Sequence, residues 1–178
     1  MTHASLPRYD ADPANLRRTF SYFPSGVVAL IAEVDGEPRG LVAATFTVGV
    51  SIEPPLVLCA IQNSSTTWPL LRQAPTIGIS VLAEGQGPLG LQIGSKNSAE
   101  RFVDVPLRSA GSTARFIAGA PVWFECEIHG EHPAGDHAVI LLKVIGLGAD
   151  PDLRPLVFHA STFRQLVRPA AIQDEDDS

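Results

Sequence analysis

Apolar residues recur along this chain at two different periods. From Asp12 to Phe23 the spacing is helical: Leu16, Phe20 and Phe23 share one face at i, i+4 and i+7. Asp12 suits the cap of that helix and Pro13 its first position, and Pro24-Ser25-Gly26 ends it. Beyond Gly26 the long apolar segments read as strands. Val27 to Val34 is aliphatic and β-branched, and Asp35-Gly36 is a hairpin turn signal. The return strand is expected from about Arg39 towards Thr47. Pro54-Pro55 interrupts, and Leu56 to Ile61 reads as a buried strand. Ile77 to Leu82 is another. Val122 to Ile128 alternates, with Trp123, Glu125 and Glu127 on one face and Phe124, Cys126 and Ile128 on the other. Asp136 to Leu147 is a long aliphatic strand, and Leu156 to His159 and Thr162 to Leu166 complete the core.

Helical signals are sparse after the first element. Thr66 to Gln73 predicts a short helix with Pro69 in its first turn, and Ser98 to Val103 a second. The glycine-rich stretch from Glu84 to Gly94 carries no clear period. Six or more closely spaced strands with few helices predict a mainly β domain, a closed or partly closed barrel. A doubly wound parallel sheet would need a helix after almost every strand.

Composition adds three constraints. At 178 residues the chain has room for one domain with a sizeable core. Only 18% of its residues are charged, which fits either a surface partly buried in an oligomer or a β-rich domain of modest charge. The net charge of −6 favours neither nucleic acid nor an anionic membrane as partner. Cys59 and Cys126 lie in separate apolar segments without CxxC spacing and read as buried thiols in a reducing compartment. The N-terminus has no secretion signal, and no apolar run is long enough for a membrane span. Cytoplasmic localisation is the expectation. Residues 1–11 read as an N-terminal arm, 12–168 as the folded domain, and 169–178 as a flexible acidic tail holding Asp174 to Asp177.

The candidate chemistry is concentrated between Gly40 and Trp68. Ala43, Ala44 and Thr45 are small, so Val42 to Gly49 reads either as the lining of a flat pocket or as an ordinary strand packed against a partner. The following strand runs into Asn63 and four hydroxyl residues, Ser64, Ser65, Thr66 and Thr67. Backbone donors and hydroxyls at a strand end hold a phosphate without a glycine-rich loop. Together these features suggest a phosphorylated aromatic cofactor. Ser65 or Thr66 also suits the cap of the next helix, and the two roles are compatible. Gly49 marks a bulge or a close backbone approach. The chain has two lysines. One of them, Lys96, lies near Arg101, and the pair reads either as a phosphate clamp or as a solubilising surface pair. Gly135-Asp136-His137 places a histidine at a strand mouth, beside a redox centre or simply after a turn.

Other chemistries find less support. His129, His132 and His137 match no common zinc spacing, so no metal is expected. The chain has no GxSxG elbow around Ser64 and no GxGxxG after a strand.

The order and spacing of these segments resemble the short-chain flavin reductases, a family with the FMN-binding split-barrel fold. The likeness runs from about Leu16 to Leu166. It rests on FPSGV (Phe23 to Val27), GLVAATFTVGVSIEPPLV (Gly40 to Val57), QNSSTTW (Gln62 to Trp68) and IGISVL (Ile77 to Leu82). It continues through Arg101-Phe102, Gly135-Asp136-His137 and PLVFHASTFRQL (Pro155 to Leu166). The resemblance implies a Greek-key-like split β-barrel with a few short peripheral helices. It also implies a homodimer passing hydride from NADH or NADPH to FMN or FAD, often for a partner flavin-dependent monooxygenase. Val42, Ala43, Ala44, Thr45, Phe46, Val48 and Gly49 would run along the isoalloxazine ring. Asn63, Ser64, Ser65 and Thr67 would hold the ribityl-phosphate, with Trp68 nearby. Lys96 and Arg101 would lie at the phosphate or the adenylate of FAD. His137 would face the nicotinamide as the catalytic residue, with His159 and Phe163 at the pocket rim. Many relatives carry Asn or Ser where this chain has Ala44, which removes one polar contact to the ring. Two alternatives share the fold: a flavin carrier or sensor without turnover, and an oxidase or oxygenase that retains its flavin.

Overall fold

The first helix begins where the sequence caps it. In the computed structural model, which describes residues 6, 8–9 and 11–166, the Asp12 carboxylate accepts from the Ala14 amide at 2.9 Å. Helix α1 (Pro13–Ser21) follows, and none of its residues is buried. The acidic tail and most of the N-terminal arm lie outside the described residues. After β1 (Ser25–Gly26), Asp35 and Gly36 adopt φ of +55° and +79°. That two-residue turn matches the twist of the strands it joins, β2 (Val28–Val34) and β3 (Glu37–Ala43). Next come β4 (Thr47–Ile52), β5 (Pro55–Gln62), the short α2 (Trp68–Leu71) and β6 (Ile77–Val81). Helix α3 (Gly87–Ile93) and the small hairpin β7 (Leu107–Ser109) and β8 (Arg115–Ile117) come before the long pair β9 (Val122–Ala134) and β10 (His137–Ala149). The chain closes on β11 (Val157–His159) and β12 (Thr162–Arg164).

Seven strands form one antiparallel sheet in the order β3-β2-β6-β9-β10-β5-β4. Strands β3 and β4 are consecutive in the chain yet occupy opposite edges. The linker at residues 44–46 therefore crosses from one edge of the curled sheet to the other. No ladder joins β3 to β4, so the barrel is split rather than closed. A separate sheet, β1-β11-β12, lies beside it.

Three expectations are corrected here. The return strand stops at Ala43 and resumes on the far edge at Thr47, instead of running through. Residues Ser98 to Val103 form successive turns, not a helix. The glycine-rich stretch holds α3, and the β7–β8 hairpin arises where no element was expected.

Strand β2 explains the unbroken apolar run at its start. Val28, Leu30 and Ala32 face the barrel interior with Val57, Cys59, Ile79, Ile140 and Leu142. Val27, Ala29 and Ile31 face the opposite way, onto Ile93, Ile117 and Leu156. A strand covered on both faces shows no polar alternation.

Cys59 and Cys126 are free thiols buried in the interior cluster. Burial pushes each pKa from 9.0 up to about 12. The unfolded chain loses these protons above about pH 9, while the folded chain keeps them. Stability therefore falls as pH rises from 9 towards 12. At pH 10 the loss is on the order of 1 kcal/mol per thiol. Thermal melts of wild type and of Cys59→Ala/Cys126→Ala at pH 8 and 10 check this. The double variant should be less stable at pH 8 but lose less on the pH change. Equal losses in both proteins would refute the thiol origin.

Candidate functional site

The gap between β3 and β4 is held open by one side chain. Thr45 Oγ1 donates to the Ala60 carbonyl at 2.9 Å and accepts from the Ala60 amide at 3.1 Å. A hydroxyl thus satisfies the main-chain groups that a continuous strand would have paired. The linker is pinned to β5 without filling the space above it. There a cavity of about 510 Å³ opens, within the range of small-molecule sites. Leu41, Val42, Ala43, Ala44 and Thr45 line one side of it, with Ala60 and Ile61 of β5.

The opposite wall is polar. Gln62, Ser64, Ser65, Thr66 and Thr67 line it, together with Ile93 and Gly94 at the end of α3 and the cations Lys96 and Arg101. The Ser65 amide closes a turn on the Gln62 carbonyl at 2.9 Å. The Ser65 hydroxyl accepts from the Trp68 amide at 3.1 Å, but the N-cap of α2 is Thr67, not Ser65 or Thr66, and its side chain makes no capping bond. Ser64 and Thr66 make no hydrogen bond within the described residues. Arg101 is braced in place: Nε donates to the Ser95 carbonyl at 2.6 Å and Nη1 to Thr67 Oγ1 at 2.7 Å. The Thr67 oxygen accepts from Arg101, so its own proton is free to donate onward. Among the described residues neither Lys96 nor Arg101 pairs with a carboxylate. Two uncompensated cations beside four hydroxyl residues give this wall the charge and the donors that an anion calls for.

A second cluster adjoins this wall. Gly135 has φ +67°, a conformation that favours glycine, and it turns β9 into β10. Asn63 clamps this turn, donating from its amide to the Asp136 carbonyl at 2.9 Å and from Nδ2 to the Gly135 carbonyl at 3.2 Å. His137 pairs in register with Gln62, which lines the cavity. His137 Nδ1 lies 2.7 Å from Asp136 Oδ1. The hydrogen bond from His137, reinforced by its charge, holds the Asp136 carboxyl below the usual carboxylate range. An ionised carboxylate only accepts, so Nδ1 carries the proton and Nε2 is the imidazole's remaining nitrogen.

The cavity brings together Val42, Ala43, Ala44, Thr45, Ser64, Ser65, Thr67, Lys96 and Arg101 from the residues the sequence singled out. The rest lie outside its lining. Phe46 stacks at a tilt against Phe124 with ring centroids 5.8 Å apart. Val48 and Gly49 are exposed on edge strand β4. Asn63 engages the Gly135 turn, and Trp68 is buried in the interior cluster. His159 meets Tyr22 edge-on, and Phe163 packs against Phe158 and Gly87 beside the second sheet. Sequence reasoning gave no site role to Leu41, Ala60, Ile61, Ile93 or Gly94. The first three continue strands already assigned, but α3 had no readable period.

Known proteins resemble this chain over most of its length. Residues 20–167 match the family model of the flavin reductase like domain. An NADH-dependent flavin reductase of a Rhodococcus species is 35% identical over 161 residues, covering 88% of each chain. The reductase component of a Thermus thermophilus 4-hydroxyphenylacetate 3-monooxygenase is 30% identical, covering 86% of this chain and 97% of that one. The structure of a Streptomyces globisporus NADH:FAD oxidoreductase with NAD and FAD fragments superposes with a TM-score of 0.82 at 34% identity. That match covers 96% of this chain and all of the other.

Proposed function

The chain belongs to the flavin reductase like domain family, and on that footing we propose that it is an NAD(P)H:flavin oxidoreductase whose cavity holds FMN or FAD. One observation carries the assignment to this cavity: a floor of small residues and a wall of hydroxyls and free cations share a single space. A flavin has a flat ring and an anionic tail, and the two sides suit those two ends. Ala43 and Ala44 place nothing larger than a methyl group between the ring and the backbone. Ser64, Thr66 and Thr67 donate to the phosphate, and Lys96 and Arg101 neutralise it. When bound, the flavin supplies the hydride acceptor for the reduced nicotinamide, and the protein supplies position and electrostatics. His137 borders the mouth beside Gln62 and orients the nicotinamide through Nε2. Asp136, accepting from Nδ1, leaves Nε2 as the nitrogen turned towards the nicotinamide.

Three further parts belong to this reading. Homodimerisation is supported by uncovered apolar side chains on β4 and β10: Val48, Ile52 and Leu147 are 58%, 84% and 78% exposed. A flavin-dependent monooxygenase as recipient of the reduced flavin is supported by the Thermus relative, a reductase component. A cytoplasmic location is the third part, supported by the two free thiols. Among the described residues no helix is long and apolar enough to cross a membrane.

The direct test is nicotinamide oxidation at 340 nm with and without added flavin. Turnover of NADH or NADPH should appear on addition of FMN or FAD and saturate with flavin. A protein that binds flavin but never accelerates nicotinamide oxidation would be a carrier instead.

A further inference from the structure

We propose that this chain takes FAD in preference to FMN, with the adenylate half lying in a second cavity and Arg39 setting the preference. The inference rests on the flavin reading above. A cavity of about 270 Å³ adjoins the first and shares Thr66, Thr67, Lys96 and Arg101 with it. The two unpaired cations therefore stand at a seam between two spaces rather than at the end of one. A terminal phosphate needs a closed anion pocket. A pyrophosphate needs an anion site that is open on both sides, and that is the arrangement here.

The far side of the seam suits a nucleoside more than a further anion. Leu70, Phe102, Pro38 and Gly40 give it apolar surface, and Ser98 and Arg39 give it polar edges. The Phe102 ring is packed directly over Gly40: a side-chain carbon at Gly40 would come within 3.0 Å of Phe102 Cζ and 2.6 Å of the Leu30 carbonyl. That wall is consequently fixed. Leu70 is 42% exposed although its helical neighbours Trp68 and Leu71 are buried. Arg39 donates to Glu37 at 2.7 Å, which offsets its charge and holds the guanidinium plane in one orientation. A neutralised, oriented guanidinium is better suited to stacking on a purine than to binding another phosphate. FMN would occupy only the first cavity and leave this surface to water.

Calorimetric titration of the intact chain with FMN and with FAD tests the proposal, using wild type, Arg39→Ala and Leu70→Glu. Both substituted positions are at least partly exposed, outside the first cavity and distinct from the proposed phosphate ligands. Wild type should bind FAD about tenfold more tightly than FMN. Each variant should lose about five- to tenfold in FAD affinity while its FMN affinity stays within about twofold. Equal wild-type affinities, or variants that weaken both flavins alike, would overturn the proposal and leave the flavin site intact. Wild type that binds neither flavin would overturn the flavin reading itself.

Discussion

Replacing Arg101 with alanine is expected to weaken flavin binding by about 100-fold, as measured by calorimetry. The guanidinium has two jobs in the cavity wall. It presents positive charge beside the hydroxyl run, and it holds Thr67 Oγ1 at 2.7 Å so that the hydroxyl proton points elsewhere. A hydrogen bond to a charged group contributes about 1.5–3 kcal/mol, and the variant loses the cation as well as the ordering of Thr67. Lys96 remains, so binding should be weakened and not abolished. Arg101→Lys should recover part of the loss through charge but not the bracing, since a lysine cannot bridge Ser95 and Thr67 with a planar fork. The melting temperature, followed alongside, separates a local defect from an unfolded loop. A folded Arg101→Ala protein with wild-type flavin affinity would place the phosphate elsewhere.

Loss of the His137 side chain should act on a different step. His137→Ala is expected to slow single-turnover nicotinamide oxidation by about 10- to 100-fold, the equivalent of about 1.4–2.8 kcal/mol. Flavin affinity should stay within about twofold, because His137 is absent from the cavity lining and meets it only as the strand partner of Gln62. Asp136→Asn probes the positioning role separately. An amide can present either an oxygen or an N–H to Nδ1, so the tautomer is no longer imposed. Its rate should lie between those of wild type and His137→Ala. The pH profile adds a check. The Asp136 carboxyl is held below its ordinary range, so it remains ionised as pH falls through the usual carboxylate values. Orientation of His137 should accordingly persist at mildly acidic pH, and be lost only below that range. Unchanged single-turnover kinetics in His137→Ala would remove it from the mechanism.

The readable parts of this fold were those set by local chemistry. Asp12 before Pro13 announces a helix start because a carboxylate and a missing amide suit those positions, and Ala14 donates as expected. Asp35-Gly36 announces a turn because both residues tolerate positive φ. The misread parts depend on distant partners. VAATFTV looks like a continuous strand, yet it ends at Ala43 and resumes at Thr47, with Thr45 between them bonded to Ala60, fifteen residues on. Helix α3 was hidden by its glycines, whose function is close approach. A side chain at Gly87 would come within 2.8 Å of Phe163, and one at Gly90 within 2.9 Å of Leu82. Nothing local to that segment reports either neighbour. The same division runs through the site. The hydroxyl run and the paired alanines were visible in sequence, whereas Ile93 and Gly94 enter the wall on a helix that was not.

The Thr45 clasp has a consequence for how this scaffold can change. Above it Ala43, Ala44 and Ala60 leave the backbone within reach, and a point mutation does not rewrite a peptide group. Substitutions there can add bulk and obstruct, but they have little means of altering which atoms a ring would meet. The anion end is built from separate side chains, each replaceable on its own. A selection imposed on random variants should therefore shift nucleotide preference readily while leaving ring recognition nearly invariant.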